Sequence, residues 1–236
     1  MSYDKRIDGR KDDELRPIVA RAGVIKKADG SGYFKMGKTE AYAAVYGPRN
    51  LYPKFLQDPE KGILRCSYNM MPFSSGGERV RPGSNRRAKE ISMVIEKALM
   101  TVVDLNEFPN AVVDIYIELP QTDAGTRCAG ICAASIALAD AGIAMRDLVT
   151  AVSVGKVEDK IILDLTYDEE AYSDNVVDIP VGILPRTEEI VLLQMDGVLK
   201  KEDLKKAIAM AKAGCRKIAE FQKQALKDKY KTGESK

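Results

Sequence analysis

The sequence contains no histidine and no tryptophan. Without an imidazole, the chain cannot form a Ser-His or Cys-His catalytic pair, a histidine general base or a histidine-ligated metal site. Any acid–base chemistry must therefore use carboxylates, lysine, tyrosine or cysteine.

Cysteine is also scarce, and its spacing argues against a metal centre. Cys128 and Cys132 lie one helical turn apart in an apolar segment, a pattern typical of small core residues. No two cysteines form a CxxC pair; the four are Cys66, Cys128, Cys132 and Cys215. We therefore expect no zinc site.

Long apolar runs are missing too. No stretch reaches the roughly 18 apolar residues of a membrane-spanning helix, and the opening residues MSYDKRIDGRK lack the apolar segment of a signal peptide. The sequence thus predicts a cytoplasmic protein without membrane contact. Its 37 basic residues nearly balance 35 acidic ones, so any nucleic-acid site must come from local clustering of basic side chains.

The order of apolar patterns predicts an α+β protein. Three strand-like runs, IVARAGVI, AYAAVYG and ILRCSYNMMPF, lie between residues 18 and 73 and are separated by turns and a proline-containing loop. A helix begins near Arg86, and the strand AVVDIYIEL leads into a helix that ends near Asp140. A hairpin with its turn near Glu158 follows, and a long helix runs from about Lys201 to Tyr230.

Both halves of the chain read as strands followed by a long helix. This permits a duplicated α+β unit, and we place the two units at residues 1–147 and 148–236. Residues 1–16 are rich in charge and predict an exposed lead-in.

The stretch TDAGTRCAGICAAS, residues 122–135, predicts an anion site. We expect Thr126 to cap a buried helix, and unpaired N–H groups at a helix start attract anions. Gly125 lets a ligand approach the backbone, and Arg127 adds a guanidinium suited to phosphate. The alternative is an ordinary capped core helix.

A second candidate is a loop with four arginines. Gly and Pro residues forbid regular structure there, and Arg86 and Arg87 fall at the start of the next helix, where cations oppose the helix dipole and favour a bound anion. The alternative is a solvated loop whose arginines pair with nearby acids. The four arginines are Arg79, Arg81, Arg86 and Arg87.

The acidic candidates lie in EEAYSDNVVDIPVG. Asp178 directly precedes an apolar strand, where a carboxylate beside an anion site could donate a proton or bind a metal. Asp174 lies four residues earlier. We expect Asp168, Glu169 and Glu170 to form a solvated acidic loop.

Several motifs, taken in order, resemble the RNase PH family of phosphorolytic exoribonucleases, and within it the catalytic ring subunits of archaeal exosomes. The motifs are RIDGRKDDELRP, ADGSGYFKMGKTEAYAAVYGPR, YNMMPFS, RPGSNRRAKEIS, FPNAVVDIYIELPQTDAGTRCAGICAASIALADAGI, DIPVG and LLQMDG. The resemblance covers residues 6 to about 230.

The resemblance implies two βαβα-type units of the ribosomal protein S5 domain 2-like fold. It also implies 3′→5′ phosphorolysis of single-stranded RNA to nucleoside diphosphates, which is reversible as RNA 3′ tailing. Inorganic phosphate would be the co-substrate, and Mg²⁺ is a possible cofactor. The expected partners are an RNase PH-like sister subunit, in a hexameric ring that is a trimer of heterodimers, and RNA-binding cap subunits.

The resemblance also assigns roles to individual residues. Gly125, Thr126 and Arg127 match the phosphate-binding turn, and Arg86, Arg87 and Arg65 are assigned to RNA binding. Asp178 matches one of two active-site aspartates. For the second, the family's usual offset falls on Tyr172, so Asp174 is the first candidate, with Glu170 as its substitute.

Three other functions stay open at this stage. The altered acidic loop favours a non-catalytic RNA-binding ring subunit, whereas the intact arginine pair and Gly-Thr-Arg turn argue against it. A homohexameric tRNA-trimming RNase PH would be active without a sister subunit. A small-molecule kinase of related fold would bind ATP at the same turn.

Overall fold

The computed structural model describes residue 3 and residues 5–76, 80–81, 85–173 and 175–231. Elements before residue 145 are β1 (Ile18–Ala22), β2 (Gly30–Met36), β3 (Thr39–Asn50), β4 (Ile63–Met70), α1 (Arg86–Met100), β5 (Ala111–Gln121) and α2 (Thr126–Asp140). Later elements are β6 (Thr150–Val157), β7 (Lys160–Leu163), α3 (Tyr167–Glu170), β8 (Val177–Ile183), β9 (Ile190–Leu193) and α4 (Lys201–Lys231).

The strands form two sheets. The first has the order β1-β2-β3-β5-β4, and the second has the order β7-β6-β8-β9. Every neighbouring pair is antiparallel except β4 and β5. Because a parallel pair needs a crossover connection, the chain passes through α1 between β4 and β5, and this places the start of α1 near the end of β4.

Helix α2 is the central element of the core. It is buried on nearly all sides, and it packs against β2 and β3 of the first sheet and against β6 of the second. Cys128 and Cys132 are fully buried, as the sequence predicts. Gly32 permits the close approach of β2, because a Cβ there would lie 2.3 Å from the carbonyl oxygen of Ala133 in α2.

Helix α4 contacts both sheets. It packs on β1 of the first sheet and on β6, β7 and β8 of the second. Helices α2 and α4 thus each contact both sheets. The division of the chain into two units between residues 147 and 148 therefore stays a prediction. Within the described ranges, no helix combines the length and apolarity needed to cross a membrane.

Most of the described lead-in is exposed, as expected, but two of its arginines are not. Arg6 and Arg16 are each only 4% exposed, because they pair with carboxylates more than 140 residues away. Arg6 donates to Glu169 through Nε and Nη2, both at 2.8 Å. Arg16 donates to Asp164 through Nε at 3.0 Å and Nη2 at 2.7 Å. The expectation of exposure was therefore wrong for these two arginines, which form buried ion pairs.

Candidate active site

A cleft of about 920 Å³ brings both sheets and three helices together. Its walls come from the starts of α1 and α2, from helix α3, and from strands β4, β5, β6 and β8. Five of the charged residues singled out from the sequence meet here: Arg87, Arg127, Asp168, Glu170 and Asp178.

The start of α2 forms one end of the cleft. Gly125 is the N-cap with φ of 63°, and Ala124 before it also has a left-handed φ, of 57°. The expectation that Thr126 caps the helix was wrong, because Thr126 is the first helical residue and Gly125 has no side chain to cap with. The N-cap thus supplies no side chain to the first-turn amides, and the first turn, residues 125–128, lines the cleft where an anion site would require it.

Arg127 extends from this turn and is held by a relay of side chains. Its Nη1 donates to Oε1 of Gln194, which follows β9. The amide nitrogen of Gln194 donates in turn to Oε1 of Glu90 in α1, at 3.4 Å. The guanidinium is half-buried in the cleft wall, where a positive charge attracts an anion more strongly than in bulk water.

The start of α1 adds a second cation. Asn85 is the N-cap, and its side chain accepts from the Ala88 amide at 2.8 Å. Both arginines are exposed, but Arg87 lines the cleft and Arg86 is not one of the described residues that line it. No acidic residue occupies the first turn of α1, so the helix dipole and Arg87 both favour an anion in the cleft.

Asp178 lies on the opposite wall, at the second position of β8. It accepts a hydrogen bond from the hydroxyl of Ser153 in β6. Burial and the charge of Asp196 raise the pKa of Asp178 above its usual value, against opposing effects of the Ser153 hydrogen bond, Arg127 and Arg87.

Glu170 is the second carboxylate of the cleft. Burial and the charge of Asp178 raise the pKa of Glu170 to about 7, against smaller opposing effects of Arg16, Arg87 and Arg127. A carboxyl group with this pKa is partly protonated at neutral pH and can serve as a general acid.

The helix that carries Glu170 was not expected. Residues 166–169, Thr-Tyr-Asp-Glu, form a capping box: the Thr166 amide donates to Glu169 Oε2 at 3.0 Å, and the Glu169 amide donates to Thr166 Oγ1 at 3.4 Å. The expected solvated loop was therefore wrong for Glu169, which is fully buried, and for Glu170, which is only partly exposed. Asp168 is exposed as expected.

Glu169 anchors this short helix to the lead-in. Besides the two bonds from Arg6, its Oε1 accepts from the Tyr3 hydroxyl at 2.6 Å. The hydrogen bonds from Arg6 and Tyr3 outweigh burial, which acts in the opposite direction, and hold the pKa of Glu169 near about 2. The neighbouring carboxylates 169 and 170 thus have opposite environments and opposite pKa shifts.

The predicted acidic pair is changed by the structure. Asp174 lies outside the described residues, whereas Glu170 shares the cleft with Asp178. Among the described residues, no group of three Cys, Asp or Glu side chains is arranged to hold a metal ion.

Arg65 lies apart from the cleft. It is on β4, at the edge of the first sheet, and it donates to Asp114 on β5 through Nε at 2.7 Å and Nη2 at 3.0 Å. Its side chain is 48% exposed. The structure thus does not bring Arg65 together with Arg87 and Arg127.

Comparison with known families identifies the family of this chain. Residues 14–144 match the model of domain 1 of the 3′ exoribonuclease family, RNase PH, and residues 147–214 match the model of its domain 2. The chain belongs to the RNase PH family of 3′ exoribonucleases.

Relatives with named roles cover almost the whole chain. The exosome complex component Rrp41 of Thermococcus kodakarensis is 52% identical over 96% of this chain and 90% of that protein. Rrp41 of Methanopyrus kandleri is 49% identical over 95% of this chain and 93% of that protein. The recognised resemblance is thus confirmed at the level of the family.

Solved structures show the same RNase PH architecture. Rice Rrp46 superposes with a TM-score of 0.83 at 25% identity, covering 94% of this chain and all of that one. A chain of the Archaeoglobus fulgidus exosome with RNA bound to the active site has a TM-score of 0.78 at 24% identity, with 92% of each chain covered. The expected α+β fold of the ribosomal protein S5 domain 2-like type is confirmed.

Sequence reasoning missed three residues that lie in or beside the cleft. Ser153 contacts Asp178, Gln194 contacts Arg127, and Arg16 contacts both Asp164 and the backbone of Asp123. Gln194 lies in the motif LLQMDG, but an isolated glutamine has no chemistry that singles it out. Arg16 and Ser153 have no local signal, since their partners are distant in the sequence.

Proposed function

We propose that this chain is a catalytic subunit of an archaeal-type exosome, acting in the cytoplasm as a phosphate-dependent 3′→5′ exoribonuclease. The observation that carries the proposal is one cleft that holds an uncapped helix start with Arg127 at one side and the Glu170–Asp178 pair at the other. The names of the Rrp41 relatives support the exosome assignment.

Inorganic phosphate is the proposed nucleophile. The amides at the start of α2 and the guanidinium of Arg127 supply donors and positive charge for a dianion. Gly125 permits the left-handed backbone conformation, with φ of 63°, at the start of this turn. A phosphate oxygen held here attacks the last phosphodiester of an RNA 3′ end.

Glu170 is the proposed proton donor. As the attacking oxygen bonds to phosphorus, the bond to the 3′ oxygen of the preceding nucleotide breaks, and Glu170 protonates that oxygen. The last proton of hydrogen phosphate restores Glu170, so the products are a nucleoside diphosphate and RNA shortened by one nucleotide with a free 3′ hydroxyl. The negative charge of Asp178 raises the pKa of Glu170, and the Ser153 hydrogen bond and Arg127 favour that charge.

Arg87 and the cleft walls are the proposed RNA contacts. Arg87 would pair with a backbone phosphate near the reacting bond, which predicts little base preference and strong salt dependence. Tyr68 and Ser74 line the same cleft, but their hydroxyl oxygens are buried.

The proposed reaction is nearly balanced in energy, because the phosphodiester bond that breaks is replaced by the phosphoanhydride bond of the nucleoside diphosphate. Excess nucleoside diphosphate is therefore expected to drive RNA 3′ tailing in reverse. No step of this scheme uses a metal ion, and a role for Mg²⁺ stays a prediction.

The proposed partners are the 3′ end of a single-stranded RNA, an RNase PH-like sister subunit in a hexameric ring, and RNA-binding cap subunits. The Rrp41 relatives support the ring over a homohexameric tRNA-trimming enzyme. The acid pair with a pKa of about 7 at Glu170 supports a catalytic subunit over a purely RNA-binding one. Both alternatives are outcomes of the experiment below.

The test uses the purified chain, alone and assembled with its sister subunit, incubated with a 3′ single-stranded RNA with and without phosphate. Nucleoside diphosphates formed only with phosphate, and chiefly by the mixture, are expected. Full activity of the chain alone would favour the homohexameric enzyme. RNA binding without any diphosphate would favour the non-catalytic subunit.

A further inference from the structure

Arg16 is the residue that joins the two halves of the candidate active site. It lies before β1, and its side chain is 4% exposed. Two of its side-chain nitrogens and its own amide donate to the carboxylate of Asp164, at distances of 2.7–3.0 Å. The remaining terminal nitrogen, Nη1, donates to the backbone carbonyl of Asp123. The planar guanidinium thus faces two partners at once.

These two partners carry opposite sides of the site. Asp123 lies two residues before Gly125, at the turn that starts α2. Asp164 is fully buried, and its amide donates at 2.7 Å to the carbonyl of Ser153, the residue that contacts Asp178. Asp164 also leads into the short helix that ends with Glu170. Arg16 therefore connects the anion turn to the acid pair.

Further contacts fix the same junction. Oδ1 of Asp123 accepts from the amide of Tyr167, the first residue of α3, at 3.0 Å. Thr39 holds the turn from the other side: its hydroxyl donates to the Ala124 carbonyl at 2.7 Å and accepts from the Asp123 amide at 2.9 Å. A Cβ at Gly125 would lie 3.2 Å from Nη2 of Arg16, so the turn rests directly on the guanidinium.

Arg16 also contributes charge. The groups that act on the Glu170 carboxyl come from every neighbouring wall: Asp178 from β8, Arg87 from α1, Arg127 from α2 and Arg16 from the lead-in. Of the three arginines, Arg16 has the largest effect in lowering the pKa of Glu170. Its removal should therefore raise that pKa.

We propose that Arg16 is a positioning residue for phosphorolysis, which sets the separation between bound phosphate at the α2 turn and the proton donor Glu170. The inference rests on the proposed function above and concerns a residue that contacts neither the phosphate nor the RNA. Misplacing reacting groups by about 1 Å can lower a rate by roughly 100-fold, so a brace of this kind controls kcat more than KM.

Two substitutions separate geometry from charge. In Arg16→Lys the positive charge remains, but a single ammonium cannot span Asp164 and the Asp123 carbonyl. We expect kcat to fall roughly tenfold or more, with the KM for phosphate within about threefold of wild type and the alkaline limb of the pH profile in place. In Arg16→Gln the charge is lost as well, and that limb should move to higher pH.

A loss of folding is tested separately from a loss of positioning. Arg10 also donates to Asp164, through Nη1 at 3.4 Å and to its carbonyl at 2.9 Å, so the buried carboxylate keeps a cation in both variants. The matched control is Asp140→Asn, which removes a buried carboxylate paired with Lys229 at the far end of α2. Thermal melts and hydrogen exchange of residues 123–126 and 165–170 accompany the kinetics of the assembled ring.

The proposal is supported if Arg16→Lys loses kcat and exchanges faster in both segments while Asp140→Asn, at equal or greater loss of stability, keeps wild-type kcat. It is overturned if folded Arg16→Lys has wild-type kcat, or if both variants lose kcat in proportion to their loss of stability. Absence of diphosphate from the wild-type ring would instead refute the proposed function, and with it this role of Arg16.

Discussion

Arg127 and Gln194 are joined by a hydrogen bond from a terminal guanidinium nitrogen to the amide oxygen, across 67 positions of the chain. The glutamine amide is itself held by Glu90 of α1. This relay orients the arginine that we assign to phosphate, because it leaves the rest of the guanidinium directed to the cleft.

Substitution of Gln194 by alanine should weaken phosphate binding. A hydrogen bond to a charged group contributes about 1.5–3 kcal/mol, so the KM for phosphate should rise roughly tenfold or more. Because Arg127 contacts phosphate before and during the reaction, kcat should change much less. Steady-state kinetics over a range of phosphate concentrations measure both. The exposed amide variant Gln224→Ala is the control, and equal KM values for the two variants would contradict the relay.

Glu170→Gln should separate activity from stability. Loss of the proton donor should lower kcat by roughly 10²- to 10⁴-fold. In the wild type, kcat should fall as the pH rises through about 7, where Glu170 loses its proton. Folding raises the pKa of Glu170 from 4.5 to about 7. Above pH 7 the folded protein must carry Glu170 in its ionised form, which the site disfavours, and this lowers the free energy of unfolding. The glutamine variant should therefore gain up to about 3 kcal/mol of unfolding free energy at pH 8.

The companion variant Asp178→Asn tests the direction of this coupling. The negative charge of Asp178 raises the pKa of Glu170, so its removal should move the falling limb of the pH profile to lower pH. Denaturant titrations and pH–rate profiles supply the two measurements. A limb that stays in place in Asp178→Asn, or a Glu170→Gln enzyme of wild-type rate, would show that another group donates the proton.

Glu169→Gln should destabilise the protein strongly. Arg6 would be left in the interior without its carboxylate, and breaking a buried pair costs about 3–5 kcal/mol. Because the folded-state pKa of Glu169 is held near about 2, the contribution of this carboxylate is complete above its normal pKa and is lost as the pH falls towards 2. The difference in unfolding free energy between the Glu169→Gln variant and the wild type should thus become smaller at acid pH.

Denaturant unfolding at pH 7 and pH 3 measures this gap. The control is Glu220→Gln, since Glu220 is 73% exposed and pairs with Lys223 at the surface. Its effect should stay below about 1 kcal/mol. Equal effects of the two substitutions would mean that the buried pair does not anchor α3.

Local patterns allowed part of this site to be predicted. The start of α1 at Arg86 and the start of α4 at Lys201 follow from caps and apolar periodicity, and both agree with the structure. The anion turn before α2 was found for the same reason, although Gly125 rather than Thr126 is the cap. Such features depend on a few consecutive residues.

The rest of the site depends on contacts between distant segments. Arg16 and Asp164 are 148 positions apart, and Arg6 and Glu169 are 163 apart. Nothing in the sequence of either segment indicates its partner, so the local charge pattern predicts solvated surface for the whole lead-in and for the acidic loop. Helix α3 has four residues, too few to show a period, and the Thr-x-x-Glu capping box was its one local sign.

Arg87 and Arg86 should differ in their effect on RNA binding. Of these two residues, Arg87 lines the cleft and Arg86 does not. For Arg87→Ala we expect a raised KM for RNA and a plot of log affinity against log salt that is shallower by about 0.7, the value for one phosphate contact on a single strand. Arg86→Ala should change both quantities less. Fluorescence anisotropy with a labelled 3′ single strand at several salt concentrations decides between them, and a larger effect of Arg86 would contradict the assignment.

The central claim is that phosphate itself becomes part of the product. The assembled ring is incubated with unlabelled RNA and ³²P-labelled inorganic phosphate, and the nucleotides released are separated. We predict label in the β-phosphate of nucleoside diphosphates, at one labelled phosphate per nucleotide released. Unlabelled nucleoside monophosphates, formed at the same rate with or without phosphate, would show that the enzyme uses water and would contradict the account.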